Sequence, residues 1–173
     1  QPILLVGAPP AWGTHLGQSI YLRDLFGRKD GPAPLVDLVH ERKVGDFVRG
    51  LIRNGTATAV HDLSDGGLAA GLAEMAIASG IGAKVSQLEG YDPIPVFFGE
   101  DQGRYLVTVA LDPQSEAFHD LLNEGAAHGI FVPWIGTTGG TDLVLGSARP
   151  VPVTELRAAH ESWFPSYMAG TIS

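Results

Sequence analysis

The sequence predicts an α/β fold of the α+β kind, a mixed β-sheet with helices packed on it, because short apolar runs of strand length alternate with longer runs of helical periodicity. A second observation places the middle of the sheet. Residues 105–111 alternate Tyr105, Val107, Val109 and Leu111 with Leu106, Thr108 and Ala110, so both faces are mostly apolar and the strand is expected to be central. Size completes the case: 173 residues, 45% of them hydrophobic, bury one real core and are too few for two ordinary domains. A sheet of about four to six strands is the expectation.

Taken in order, Ile3 to Val6 is an aliphatic strand that stops at Gly7-Ala8-Pro9-Pro10. Residues 12–34 are rich in Gly and Pro, and only Ile20 to Phe26 carries helical spacing, so a long ordered loop with one short helix is predicted. Val44, Phe47, Val48, Leu51 and Ile52 form one apolar stripe on a helix that Gly55 stops. Residues 56–60 read as a strand that runs into His61-Asp62-Leu63-Ser64-Asp65-Gly66-Gly67, after which Leu68, Leu72, Met75 and Ala76 resume helical spacing. A short strand at 83–85, a helix at about 115–127, strands at 130–135 and 142–145, and a closing helix at 153–168 complete the chain.

Composition excludes several classes. The formal net charge is -8, from 19 acidic and 11 basic residues, with no Lys/Arg cluster, so a nucleic-acid backbone would be repelled. There are no cysteines, which rules out a disulfide framework, a thiolate metal site and cysteine catalysis, and fits a cytoplasmic protein. No run approaches the roughly 20 apolar residues that cross a bilayer, and no basic flank precedes the first strand, so neither a membrane span nor a signal peptide is expected. The chain begins on Gln1 inside a strand, which reads as a fragment.

Three constellations carry the chemistry. In the first, Ser64-Asp65-Gly66-Gly67 hands a strand over to a helix, whose first N–H groups lack intrahelical partners and favour an anion such as phosphate. The alternative is that Ser64 or Asp65 caps the helix and the glycines relieve a tight turn. Asp62 and Asp65 also suit Mg²⁺ bridging a nucleotide phosphate, while His61 suits substrate hydrogen bonding, acid–base work or simple pairing with backbone. In the second, Phe97-Phe98-Gly99-Glu100-Asp101-Gln102-Gly103-Arg104-Tyr105 gathers acid, amide and guanidinium at a strand mouth. There Glu100 and Arg104 read either as a structural ion pair or, for Arg104, as a bidentate phosphate ligand. The third, Gly13-Thr14-His15-Leu16-Gly17-Gln18-Ser19, matches no phosphate-loop pattern.

Together these segments resemble the C-terminal domain shared by aminoimidazole ribonucleotide synthetase, phosphoribosylformylglycinamidine synthase and their relatives. His61-Asp62-Leu63-Ser64-Asp65-Gly66-Gly67-Leu68, with Leu72-Ala73-Glu74-Met75-Ala76, is similar to the second such domain of the phosphoribosylformylglycinamidine synthases. Phe98-Gly99-Glu100-Asp101-Gln102-Gly103-Arg104 resembles that family's Phe-Gly-Glu-(Ser/Asp)-Gln-Gly-Arg segment. The resemblance implies a ferredoxin-like variant of the fold, with residues 1–173 as the C-terminal domain of a larger enzyme. It also implies ATP-dependent conversion of formylglycinamide ribonucleotide to the amidine in purine biosynthesis, with Mg²⁺ and ammonia from a glutaminase subunit or fused domain. Asp62, Ser64, Asp65, Gly66 and Gly67 would then line a phosphate-facing surface, supported by His61, Glu100 and Arg104, with Asp65 as the metal ligand. Sites in this family lie between domains, so the piece alone is expected to be inactive. The rivals are another enzyme of the superfamily, aminoimidazole ribonucleotide synthetase first, and a purely structural docking module. One departure stands out: the family's Leu-Gly-Gly-Ser-Glu-Tyr reads here Leu16-Gly17-Gln18-Ser19-Ile20-Tyr21. Gln18 restricts the backbone and Ile20 lacks a carboxylate, so no ligand role is carried over to this loop.

Overall fold

A computed structural model describes residues 1–8, 16–86 and 90–171. Its seven strands form one sheet in the order β2-β4-β1-β5-β3-β6-β7. They are β1 (Pro2–Val6), β2 (Ala57–Asp62), β3 (Ala83–Val85), β4 (Tyr105–Val109), β5 (Trp134–Thr138), β6 (Asp142–Leu145) and β7 (Val151–Pro152). The helices are α1 (Ile20–Phe26), α2 (Leu38–Arg53), α3 (Gly67–Ser79), α4 (Pro93–Phe98), α5 (Glu116–Ala127) and α6 (Val153–Met168). The sheet is mixed as expected, because β3 and β6 pair in parallel while the other pairs are antiparallel. Its strands exceed the expected four to six by one, the two-residue β7, which no periodicity reveals.

The half of the sheet ordered β2-β4-β1-β5 is a ferredoxin-like core, since β1 and β2 each pair antiparallel with β4, and β1 also pairs antiparallel with β5. Strands β1 and β2 therefore run parallel on either side of β4, joined by α2, and β4 and β5 flank β1, joined by α5. The segment between β2 and β4, carrying α3, β3 and α4, extends the sheet beyond β5 and supplies a second helical layer.

Alternation along the strands builds two cores. Leu4, Val6, Val107 and Val109 face Val44, Val48 and Leu51 of α2 and Phe118 and Leu121 of α5. Ile3, Leu5 and Leu106 face Leu68 and Leu72 of α3 and Val96 and Phe97 of α4, with Leu156 of α6 beside them. Strand β4 is thus buried on both faces, as its apolar alternation requires.

Caps and breakers account for the boundaries. Helix α2 starts six residues before its buried stripe because Asp37 Oδ1 accepts the Val39 and His40 N–H groups, both at 3.0 Å. Gly55, at φ 71°, ends it in the left-handed conformation, while Ile52 of the predicted stripe turns outward. The strand expected at 130–135 is displaced to β5: Ile130 closes the turn after α5, Phe131 makes an isolated bridge to Gly7, and Pro133 has no N–H to give a ladder. Helix α4 escapes a periodicity search because it has six residues and two prolines, yet Asp92 caps it through a 3.0 Å bond to Ile94 N–H. Among the described residues, no helix is long and apolar enough to cross a membrane.

Phe118, 1% exposed, meets Trp134 edge to face at 5.8 Å. Phe118→Ala is expected to cost about 3–5 kcal/mol in urea unfolding, whereas Phe164→Ser, at a site 62% exposed, stays within about 0.5 kcal/mol. Equal costs at the two positions would refute the assignment of the α5 core.

Candidate functional site

Strand β2 carries His61 and Asp62 to the end of the sheet, two residues beyond the predicted strand, because β4 continues to pair with it as far as Asp62 opposite Tyr105. Buried Leu63 then anchors the chain, and its N–H donates to the Arg104 carbonyl at 2.8 Å, fastening the 64–67 turn to the 99–104 loop. Ser64 and Asp65 are exposed, as is Asp62. Gly66, at φ 78°, is the cap of α3, and no side chain of its own segment caps that helix. Gly67, at φ 64°, follows against the loop so closely that a Cβ there would lie 2.3 Å from the Gly99 carbonyl oxygen. These two positions need glycine for both reasons, a left-handed backbone and close approach.

The cap role proposed for Ser64 or Asp65 falls to another residue. Glu100 Oε1 accepts the Gly66 N–H at 2.9 Å and the Ile20 N–H at 2.8 Å. One carboxylate oxygen therefore sits at the positive ends of α3 and α1 together, where charge-assisted bonds and the helix dipole favour it. Nor does Glu100 form the ion pair with Arg104 that the sequence suggested. Arg104 is 1% exposed, donates from Nη2 to the Gly99 carbonyl at 2.8 Å, and pairs with Asp101 at 3.4 Å. Its Nε and Nη1 have no hydrogen-bond partner among the described residues. Burial pushes the guanidinium below its ordinary pKa, and Asp101 opposes that shift. Arg104 thus holds the loop from within, and only its carbonyl reaches the turn.

His61 turns toward α3: Nδ1 lies 2.5 Å from the Asp62 carbonyl and Nε2 2.9 Å from Glu74 Oε2. It lines a cleft of about 930 Å³ with Glu74, Thr58 and Thr108, and that cleft does not include residues 64–67. Among the described residues, no group of three His, Asp or Glu side chains is arranged to hold a metal ion. The structure thus brings Asp62, Ser64, Asp65, Gly66, Gly67 and Glu100 to one end of the sheet, while the His61 ring, bonded to the Asp62 carbonyl, turns away from residues 64–67 toward Glu74 and the Arg104 guanidinium is buried in the loop.

Of the early loop, Gly13, Thr14 and His15 lie outside the described residues. Ser19 caps α1, donating to the Leu16 carbonyl at 2.7 Å and accepting from Leu22 N–H at 3.3 Å. Gln18 takes the left-handed conformation, φ 60°, and its side chain donates to the Gly31 carbonyl at 2.9 Å, so the restriction expected of Gln in place of Gly is met by a specific bond. Sequence reasoning missed Arg23 on α1. Its guanidinium pairs with Asp24 at 2.7 Å and is held above its ordinary pKa chiefly by that bond, with smaller contributions from Asp65 and Glu100. The available signal was its spacing, one helical turn after Ile20.

A family profile described as AIR synthase related protein, C-terminal domain, matches residues 1–143. The chain belongs to this family. Over 168 residues, 97% of its length, it is 61% identical to the phosphoribosylformylglycinamidine synthase subunit PurL of Mesorhizobium japonicum. It is also 61% identical, over 100% of its length, to the subunit of the same name from Rhizobium meliloti. The chain spans about a quarter of the length of these curated relatives, 23% of each. In fold it is similar to the Thermotoga maritima PurL complexed with FGAR, with a TM-score of 0.70 and 20% identity over 90% of this chain and 27% of that one. The same enzyme complexed with ATP matches with a TM-score of 0.67 and 18% identity, over 91% of this chain and 25% of that one. The mixed sheet with its packed helices is therefore the fold of this C-terminal domain family.

Three substitutions test the geometry. Gly67→Ala meets both a strained backbone and the Gly99 carbonyl, so it is expected to lose about 2–5 kcal/mol in urea unfolding. Gly80→Ala, at φ 72° with open space around it, should lose about 1–2 kcal/mol. Asp101→Ala strips the ion pair from a buried guanidinium and is expected to cost about 3–5 kcal/mol; a cost below that of Gly80→Ala would mean that Arg104 draws its stabilisation elsewhere.

Proposed function

We propose that the chain is the C-terminal domain of a phosphoribosylformylglycinamidine synthase. The parent polypeptide then converts formylglycinamide ribonucleotide, ATP and glutamine-derived ammonia to formylglycinamidine ribonucleotide, ADP and phosphate. The observation that carries this reading is the 61% identity to PurL subunits over essentially the whole chain. Other relatives at 55–60% identity bear the same name, which favours this enzyme over aminoimidazole ribonucleotide synthetase. The reaction needs a glutaminase, separate or fused, to release ammonia, and it belongs in the cytoplasm with the rest of purine synthesis.

Within that enzyme, the 64–67 turn is the phosphate-facing surface of this domain. Asp62, Ser64 and Asp65 are exposed there, Gly66 is half-buried at the cap of α3, and Gly67 holds the turn close against the 99–104 loop. Asp65 is the carboxylate placed to share a Mg²⁺ with bound phosphate, an ion that keeps waters and takes few protein ligands. Glu100 and Arg104 support the turn by the bonds to Gly66 N–H and from Leu63 N–H. Phosphoryl transfer is largely positioning and charge stabilisation, so this domain without its neighbours is expected to be inert.

A second reading, a turn that only docks and braces the domain, draws support from Glu100, whose carboxylate already takes one of the donors an anion would seek. The two diverge in the parent polypeptide titrated with ADP and Mg²⁺ by calorimetry. Nucleotide binding predicts a saturable, magnesium-dependent site that weakens about tenfold or more in Asp65→Ala with unchanged unfolding midpoint; unaltered binding in that variant supports the bracing role.

A further inference from the structure

We propose that the outer edge of β2 is an interaction surface, covered in the parent enzyme by an added β-strand from outside residues 1–173, an inference that rests on reading the chain as one domain of a larger polypeptide. Strand β2 ends the sheet: it pairs with β4 on one side and with no strand of the described residues on the other. The direction of its backbone groups follows from the register. Leu63 N–H donates to the Arg104 carbonyl at 2.8 Å, so in this antiparallel pair Ala59, His61 and Leu63 turn their N–H and C=O groups toward β4. Val60 and Asp62 lie between them and turn theirs outward. Among the described residues neither of these two N–H groups has a hydrogen-bond partner, and of their carbonyls only that of Asp62 is taken, by His61 Nδ1.

An edge with free backbone donors and acceptors is a template for another strand. The devices that usually block such pairing are confined to its beginning. The register shifts between Ala57 and Ala59, and beyond that bulge residues 59–62 contain no proline or lysine. The opposite edge of the sheet, by contrast, is the two-residue β7, which ends in Pro152. Room for the side chains of an added strand exists on both faces of β2. On the α3 side is the cleft of about 930 Å³, where Leu72, Met75, Ala76 and Ile81 stand across from Thr58 and His61. On the α2 side a second cleft, of about 450 Å³, is lined by Val60 and Tyr105 together with Arg42, Asp46 and Arg49, whose charges sum to one positive. Side chains of a strand alternate between faces, so the occupant is an extended segment with apolar residues toward α3 and polar or acidic residues toward α2. It belongs to the same polypeptide: the chain spans 23% of the length of the PurL relatives, which leaves most of that polypeptide outside it. A tethered strand reaches the edge at an effective concentration that a second copy does not match.

The test is hydrogen exchange in the full-length wild-type parent polypeptide, read amide by amide across residues 59–63. A buried N–H without a partner is costly, so slow exchange reports a hydrogen bond. With the added strand in place, the Val60 and Asp62 amides are expected to exchange within about tenfold of those of His61 and Leu63, which bond to β4. Dilution by about a hundredfold should leave those rates unchanged, because a tethered strand does not dissociate by mass action. Val60→Pro removes one outward N–H and spares the ladder to β4; it is expected to speed exchange at Asp62 by about tenfold or more while His61 stays slow. The inference is overturned by fast exchange at Val60 and Asp62 beside slow exchange at His61 and Leu63, by protection of one of the two alone, or by an Asp62 rate that Val60→Pro leaves unaltered. Protection that disappears on dilution overturns the assignment to the same polypeptide and makes the occupant a second copy. An open edge in a parent polypeptide that forms formylglycinamidine ribonucleotide defeats this inference alone. A parent polypeptide without that activity defeats the functional reading, and the exchange rates still decide the edge.

Discussion

The β1–β4 pair at the middle of the sheet is buried on both faces: Leu4, Leu5, Leu106 and Val107 are each at most 1% exposed. A strand pair of that composition is stable only if apolar side chains cover both sides of it. Crossovers through α2 and α5 cover one side, and the segment with α3, β3 and α4 covers the other. That second requirement creates the site. Helix α3 has to begin where β2 ends, next to the start of β4, and so the 64–67 turn meets the loop that leads into β4.

Where those two segments meet, backbone geometry and charge constrain each other. Gly67 lies against the Gly99 carbonyl, which leaves no room for a side chain, and the next residue of the loop is Glu100. Its carboxylate satisfies an N–H at the start of α3 and another at the start of α1, groups that a helix cannot satisfy internally. The acid therefore acts as a built-in anion at a place that attracts anions. It also makes the surroundings more negative, so an anion that reached this end would need a compensating cation beside it.

Much of this was legible in advance, for identifiable reasons. The turn was found because Ser64-Asp65-Gly66-Gly67 separates a strand pattern from a helix pattern, and two adjacent glycines rarely serve anything but backbone geometry. The helices α1 and α6 and the strands β3 and β6 fell on their expected residues because their apolar spacing is undisturbed. The strand expected at 130–135 moved because Ile130 and Val132 are apolar for packing under α5, not for pairing, and periodicity does not separate those uses. Glu100 and Arg104 were singled out as an unusual pair of charges, but the ion pair between them, one of the two readings offered, does not form. Nearness in sequence suggests a pair, while Asp101 sits three residues from Arg104 and the donors that Glu100 takes belong to residues 34 and 80 positions away.

By itself the sequence determined the mixed sheet, the central strand, the ends of most helices and the position of the glycine turn. Each of these rests on local periodicity, on capping chemistry or on a φ that one residue type adopts readily. Only the tertiary structure decided which carboxylate serves the start of α3, that the Arg104 guanidinium is buried and that His61 turns to Glu74. Those are contacts between segments whose approach is set by how two helical layers cover one sheet, and no spacing along the chain encodes the distance between them.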